Sequence, residues 1–521
     1  MLQRIFISTG IILLAAFLRF WQISNAPLGL NYDEALNGLV SSQVLNGEHP
    51  ALLSLDDSRE PLHFYLTAIS LSILGNTPGA LRIPYVICSL ILVGFVGLLG
   101  KELFDRKIGL LTALLCAFTV WPMYLGRYGT RSVVFAVMIA MALYFAVYAS
   151  GRRDLYLWII AGFCFGISHY TYTVNLFVIP AIIVIVVGMV LWYRNEIFSN
   201  WRGMLLMISI TVIVALPILL YRSELLAQSF SRPRSLSVFY EGQGFSDLLR
   251  TIWIQAVLVM RMFFIRGDAN PLHNIPGRPI FDLAMTIPLL WGFVRSISGH
   301  YRSRGMLMCA WICVFLLPTF MSKSAPHFLR SVGVLPVLFM VPALGLRGMY
   351  NWLKRVTDKF ISLVLVSGLL GISIIFSVRD FFINDFLNEP YVFRAYQGDE
   401  TSLALQINRR LSIGWTGDNL QVESNGVAAS VNVWIESEVW DRNRYAEFLV
   451  PGQPGEIPGF HLLSSSTKLP NSGGVLFVHP QNTDYWKSNI PKGRTIDLET
   501  GPWLFDSLNH TAEPIYQIIS W

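Results

Sequence analysis

The chain has 521 residues, of which 53% are hydrophobic and only 14% charged, with a mean hydropathy of +0.51. That balance excludes an ordinary soluble domain and describes a polytopic α-helical membrane protein. The formal charge of +6 belongs with loops facing anionic lipid, not with nucleic acid, because no basic, aromatic-interleaved patch or reading motif accompanies it.

In chain order, the first apolar run, about residues 5–23, is long enough to cross a hydrocarbon core of about 30 Å and has no small-residue cleavage site after it. It reads as a retained helix that starts in the cytoplasm. Ten more runs of spanning length follow, near 82–100, 108–126, 132–150, 155–170, 174–193, 204–221, 279–297, 305–321, 328–346 and 360–378, for eleven crossings. Lys and Arg test this count, since they concentrate on the inner side. Lys101, Arg106 and Lys107, then Arg152 and Arg153, Arg194 and Arg202, Arg295, Arg302 and Arg304, and finally Arg347, Lys354, Arg355 and Lys359 fall in alternate loops. The alternation requires that the stretch His63–Leu74, about 12 residues, not cross, so it reads as a helix that lies at the outer surface or dips in and out. An odd number of crossings puts the C-terminus outside. The five cysteines (Cys88, Cys116, Cys164, Cys309, Cys313) lie within apolar runs without CxxC spacing, so packing is expected of them rather than a disulfide framework or a zinc site.

Just after the first run, Asn31 stands where it can cap a helix whose first turn holds Asp33 and Glu34 and whose apolar face is Leu36, Leu39, Val40 and Val44. Acids in a first turn complement the helix dipole, which is worth about 0.3–1 kcal/mol each. Dipole complementation does not account for the cations that fall on the same external side. These are Arg59 with Glu60 and His63 in SREPLHFYL, Arg127 and Arg131 in GRYGTR, and Lys323, His327 and Arg330 in SKSAPHFLR. A carboxylate that activates an acceptor hydroxyl, with fixed cations holding a departing phosphate, is the arrangement that displacement of a phosphate leaving group needs. Arg suits it because its planar fork grips phosphate oxygens bidentately. A sugar on a long lipid phosphate presents its reactive carbon at this depth.

Later external segments have blander readings beside sharper ones. His169 and Tyr170 sit at an outer helix end, where aromatic belts are normal. Leu248–Ile265, apolar with Arg250, Arg261 and Arg266 spaced along it, reads as an interfacial helix. The turn-rich GDANPLHNIPGRP after it, with Asp268, His273 and Arg278, reads as a polar loop or as one that closes over a bound sugar phosphate. Near Arg379 the apolar runs give way to a polar segment. The division is therefore 1–378 for the membrane domain and 379–521 for a separate soluble α/β domain on the outer side. That domain combines helices near 400–411 and 442–449 with strands near 431–435 and 474–479, and it reads as an accessory or acceptor-recruiting module.

NYDEALNGLVSSQVLNGEHP, SREPLHFYL, the segment from LRIPYVICSL through GRYGTRSVVF, and SKSAPHFLRSVGVLPVLFM together resemble the integral-membrane glycosyltransferases of the GT-C fold. The resemblance is to the protein O-mannosyltransferase-like group and the lipid A aminoarabinose transferases, and it covers about 5–150 and 318–346. It implies that Asp33 matches the catalytic carboxylate of the first external loop, with Glu34 in the same acidic pair. The chain departs from the pattern twice. The residue before Pro61 is Glu60, with Arg59 one earlier, where the family has a phosphate-contacting cation. Arg127 and Arg131 stand where some members carry a second carboxylate. Because that second carboxylate is replaced, neither a divalent metal nor any other cofactor is expected.

The sequence thus points to an inverting glycosyltransferase of the cell (plasma or inner) membrane. It would move a sugar from a polyprenyl-phosphate carrier to a lipid, glycan or protein acceptor on the extracytoplasmic face. Asp33 and Glu34 are its expected catalytic residues, and Arg59, Glu60, His63, Arg127, Arg131, Lys323, His327 and Arg330 its expected substrate contacts. A lipid-linked sugar flippase or transporter is the alternative, and it predicts charge in mid-membrane rather than at one mouth. A noncatalytic scaffold displaying the C-terminal domain predicts that changing Asp33 has no chemical effect.

Overall fold

In the computed structural model, residues 2–27, 29–48, 60–152, 154–224, 237–240, 243–383, 390–417, 431–464, 467–506 and 511–521 are described. Of the eleven expected crossings, seven form helices long and apolar enough to span a bilayer, and the bent pair Arg106–Phe118 and Val120–Arg127 makes an eighth if it counts as one span. The other three runs form shorter apolar helices, at Phe6–Phe20, Leu155–Ser168 and Leu283–Ile297. The stretch expected not to cross is also a short apolar helix, Leu62–Leu74. The chain divides into two compact units. The first comprises Met1–Trp21, His49–His63 and Tyr85–Phe386, and the second Gln22–Glu48, Phe64–Pro84 and Leu387–Trp521.

Within the first unit, helices meet through small residues, as they must where lipid tails are as apolar as Leu and close backbone approach supplies the attraction. Helices Leu283–Ile297 and Met340–Val356 cross at Gly292 and Gly345; a Cβ on Gly345 would lie 1.8 Å from the Pro288 carbonyl oxygen, and one on Gly292 equally close to that of Val341. Gly97 and Gly109 make a similar crossing, and Gly162 and Gly166 seat Leu155–Ser168 on Arg194–Glu224. Gly345→Ala is therefore expected to cost about 1–3 kcal/mol through overpacking, read as a lowered melting temperature and a smaller folded fraction in detergent.

Helix α1 (Leu2–Phe20) carries a charge into this packing. Arg19, fully buried, donates to Ser89 Oγ (2.8 Å), Ala117 O (2.7 Å), Cys116 O (3.2 Å) and Ala15 O (3.2 Å). The Cys116 and Ala117 carbonyls belong to the last turn of Arg106–Phe118, where acceptors have run out of intrahelical donors, so the guanidinium caps the 56° bend there.

The second unit is built around a five-stranded sheet in the order β2-β1-β3-β7-β4, made of β1 (Val433–Glu436), β2 (Phe460–Leu463), β3 (Val475–Val478), β4 (Asp497–Thr500) and β7 (Gln517–Ser520). β5 (Trp503–Asp506) and β6 (Thr511–Pro514) form a separate hairpin. β1 pairs in parallel with β2 and β3, while β7 runs antiparallel to β3 and β4. β1 and β3 are buried at all four positions, which is why both read as short continuous apolar runs bounded by turns. Helix Gly398–Leu411 lies on the sheet through Leu403, Ala404, Ile407 and Leu411. Helix α2 (Tyr32–Leu45) and the Leu71, Ala80 and Leu81 side chains share that core, with Leu71 from α3 (Leu62–Leu74) and the other two from α4 (Pro78–Leu103).

Candidate functional site

Helix α2 begins with the capping box its sequence announces: Asn31 Oδ1 accepts from Glu34 N at 3.0 Å, and Glu34 Oε2 accepts from Asn31 N at 3.3 Å. The two acids then part company. The Glu34 side chain is 1% exposed and meets Arg82, whose Nε donates to Oε1 at 2.9 Å and whose Nη2 donates to Oε2 at 3.2 Å. Asp33, one residue earlier, is exposed. Arg82 is itself fully buried and also donates to the carbonyls of Ile23, Pro27 and Gly29. Sequence reasoning passed over Arg82, although a charge in the first turns of an apolar helix asks for a buried partner.

In the first unit, the candidates fall into three groups. Glu60, fully buried, pairs with Arg131 (Oε2 to Nη1, 3.2 Å) and accepts from Thr173 Oγ1 at 3.0 Å, while the Arg131 guanidinium lies 5.5 Å from the centre of the Tyr172 ring. The acid before Pro61 thus belongs to the same cluster as one of the two arginines that replace the second carboxylate. His63 is buried close by in sequence. Arg127 is fully buried, donates to the Leu18 and Arg19 carbonyls (3.1 and 3.2 Å), and stands over the faces of Phe381 and Phe382 at 5.4 and 5.5 Å. Arg59 lies outside the described residues.

The third group joins the SKSAPHFLR segment to the turn-rich loop. Arg330 donates to Ser322 Oγ, and Lys323 is exposed. Asp268 accepts from the backbone N–H groups of Asn270 and Phe328, each at 2.9 Å, and its Oδ2 lies 3.0 Å from His273 Nδ1 and 4.0 Å from His327 Nδ1. The two imidazoles stack with centres 4.5 Å apart. Burial, then repulsion from His273 and Arg330, pushes His327 down to about 3, so it stays a neutral ring. Burial works against the Asp268 charge, but the hydrogen bond and charge of His273 and the two backbone donors prevail and hold its carboxyl below the usual range. The surrounding loop is closed on itself by Gly267 N to Gly277 O, Gly277 N to Asp268 O, and Asn274 Nδ2 to the Asp268 and Arg278 carbonyls. A cleft of about 410 Å³ adjoins it, lined by Arg261, Arg266, Asp268, Asn270 and Pro326 among others.

Among the described residues, Asp268, His273 and His327 are the group able to hold a metal, their donor atoms lying within 4.8 Å of one another. The donor chemistry fits a borderline divalent cation such as zinc, which takes a carboxylate and neutral imidazoles. His327 Nδ1 supports the fit, since it is buried and makes no hydrogen bond.

Comparison with known proteins places the fold. The sequence profile of the dolichyl-phosphate-mannose-protein mannosyltransferases matches residues 49–221, about a third of the chain. No curated protein sequence matches it. Among solved structures, it is similar to ArnT from Cupriavidus metallidurans bound to undecaprenyl phosphate, with a TM-score of 0.56 at 10% identity over 98% of this chain and 97% of that one. Apo ArnT from the same organism gives 0.53 at 12% identity, over 98% of both chains. The archaeal oligosaccharyltransferase AglB from Archaeoglobus fulgidus, in complex with an inhibitory peptide and a dolichol-phosphate, gives 0.48 at 14% identity over 86% of this chain and 63% of that one. The ArnT matches run nearly end to end, and they establish that the chain has the GT-C fold of integral-membrane glycosyltransferases.

Proposed function

We propose that the protein transfers a sugar from a polyprenyl-phosphate carrier to an acceptor at the extracytoplasmic face of the cell membrane, with inversion at the sugar carbon. The observation that carries this reading is the division of labour in the acidic pair. Glu34 is buried against Arg82, while Asp33 keeps an exposed carboxylate at the start of a capped helix. A fixed, accessible acid in the first loop is what activation of an acceptor hydroxyl requires. The likeness to ArnT, solved with undecaprenyl phosphate, supports a lipid-phosphate donor.

In the proposed reaction Asp33 takes the acceptor proton as the acceptor oxygen attacks the sugar carbon, and the carbon–oxygen bond to the lipid phosphate breaks with its electrons leaving on the phosphate. Glu34 supports Asp33. Arg59, Arg127, Arg131, Lys323, His327 and Arg330 are the proposed contacts for the departing phosphate and the sugar, with Glu60 and His63 shaping the same approach. The N-terminus lies in the cytoplasm, and residues 379–521 lie outside with the acceptor.

Bond making in this scheme passes through no metal, and the leaving charge falls to the proposed arginine and lysine contacts. Treatment with a chelator is accordingly expected to leave turnover unchanged. A loss that zinc restores would bring Asp268, His273 and His327 into the reaction.

The test is transfer itself. Purified protein in lipid vesicles is given radiolabelled polyprenyl-phosphate sugars and membrane extract, with wild type set beside Asp33→Asn. Label passing from carrier to acceptor with wild type alone supports the reading. Equal transfer by both removes Asp33 from the mechanism, and label crossing sealed vesicles unchanged would favour a flippase.

A further inference from the structure

We propose that the C-terminal segment, through Thr401 and Phe448, acts with Arg82 as a positioning device that fixes the helix carrying Asp33, so that this segment is part of the catalytic apparatus. The inference rests on the reading of Asp33 given above and names the residues through which its geometry is set.

Helix α2 is a poor helix on its own. It has 14 residues, including Gly38, Asn37, Ser41 and Ser42, and isolated helices of this length are marginal even with strong formers. Its position must come from what it packs against. On one side that is the C-terminal segment. The Phe448 ring lies so close to Gly38 that a Cβ there would sit 2.5 Å from it, and Phe448 is fully buried. Leu30 and Ala35 enter the same core as Leu403, Ala404 and Ile407. The backbone entering the helix is held as well, because Leu30 N donates to the buried Thr401 Oγ1 at 3.1 Å. Gly29, at φ +121°, passes so close to residues 396–398 that a Cβ would lie 2.2 Å from Tyr396 O. At this position both the backbone conformation and the close approach demand glycine.

From the other side, Arg82 binds the Glu34 carboxylate and the carbonyls of Ile23, Pro27 and Gly29, so one guanidinium ties four points of residues 23–34. Asp33 sits between these restraints, next to Glu34 and three residues after Leu30. A carboxylate displaced by about 1 Å from its reacting geometry can lose about a hundredfold in rate. The two clamps therefore act on turnover rather than on donor affinity.

The experiment uses the full-length protein in lipid and four variants: Thr401→Val, Thr401→Ser, Phe448→Leu and Arg82→Lys. For each, kcat and donor KM are measured, together with the rate at which a water-soluble carbodiimide labels Asp33, followed by mass spectrometry of the peptide. Thr401→Val, Phe448→Leu and Arg82→Lys are expected to lower kcat about tenfold or more, to leave KM within about twofold, and to change the Asp33 labelling rate. Thr401→Ser keeps the accepting hydroxyl and is expected to restore all three. Variants that melt like wild type and keep its kcat and Asp33 labelling would overturn the proposal. So would variants whose lost activity only tracks the loss of folded protein. The labelling readout is independent of Asp33's chemical role: full activity in Asp33→Asn would sink the reading of Asp33 as the base, while labelling would still report the clamp.

Discussion

Asp33→Asn is expected to lower the transfer rate by about 10²–10⁴-fold, the range that a positioned general base supplies, while leaving the protein folded. The stability half of this expectation follows from placement. Asp33 is exposed, and as a first-turn acid it contributes about 0.3–1 kcal/mol through the helix dipole. The capping box that starts the helix belongs to Asn31 and Glu34 and is untouched by the change. Initial rates with labelled donor, set beside thermal melts of the same preparations, check both halves. A mutant that melts normally and transfers normally would show that the exposed carboxylate has no part in the chemistry.

Asp268→Ala is expected to act in the opposite sense, costing about 3–5 kcal/mol of stability. Its carboxylate is 6% exposed and accepts from Asn270 N, Phe328 N and His273, so removal strands one buried donor, Phe328 N, and two partly buried ones. The loop is anchored there, and that acid and the ring stack join it to the segment bearing His327, with Gly267 packed against the Phe328 ring. His327→Ala, by contrast, removes a neutral ring whose Nδ1 is 4.0 Å from the acid, and it is expected to cost about 1 kcal/mol or less beyond lost packing. Melting curves of the two variants in one detergent decide this. Equal losses would mean that the ring contact, not the carboxylate, holds the loop.

Much of the fold was legible because membrane helices announce themselves by length and apolarity. The shorter runs were harder to place. Leu155–Ser168 and Leu283–Ile297 are predominantly apolar, yet they form helices of 14 and 15 residues, and only the structure sets where a run stops being helical. Within the candidate site, the capped helix start was readable from Asn31 and Glu34, since a capping box is a local pattern. The partner of Glu34 was not, because Arg82 lies 48 residues away and nothing local in LRIPYV says which acid it meets. Asp268 and His273 stood out as polar residues in a turn-rich segment, but their convergence with His327 is a tertiary fact. The same limit hides the tie between α2 and the C-terminal sheet, where spacing and periodicity carry no signal across so many residues.

The hydrogen bond from Leu30 to Thr401 spans 371 positions of the chain. A ribosome that has released residues 22–48 must still synthesise most of the protein before the partner of that bond exists, and the membrane helices between them are inserted in the meantime. Loop closure over such a span is entropically costly and comes late. The nascent protein therefore passes through a long interval in which its helices are in the bilayer while the helix bearing Asp33 has no core to join. A chain cut back to before residue 396 would be inserted with its helices in place but without the C-terminal clamp on that helix, which Arg82 would hold from one side.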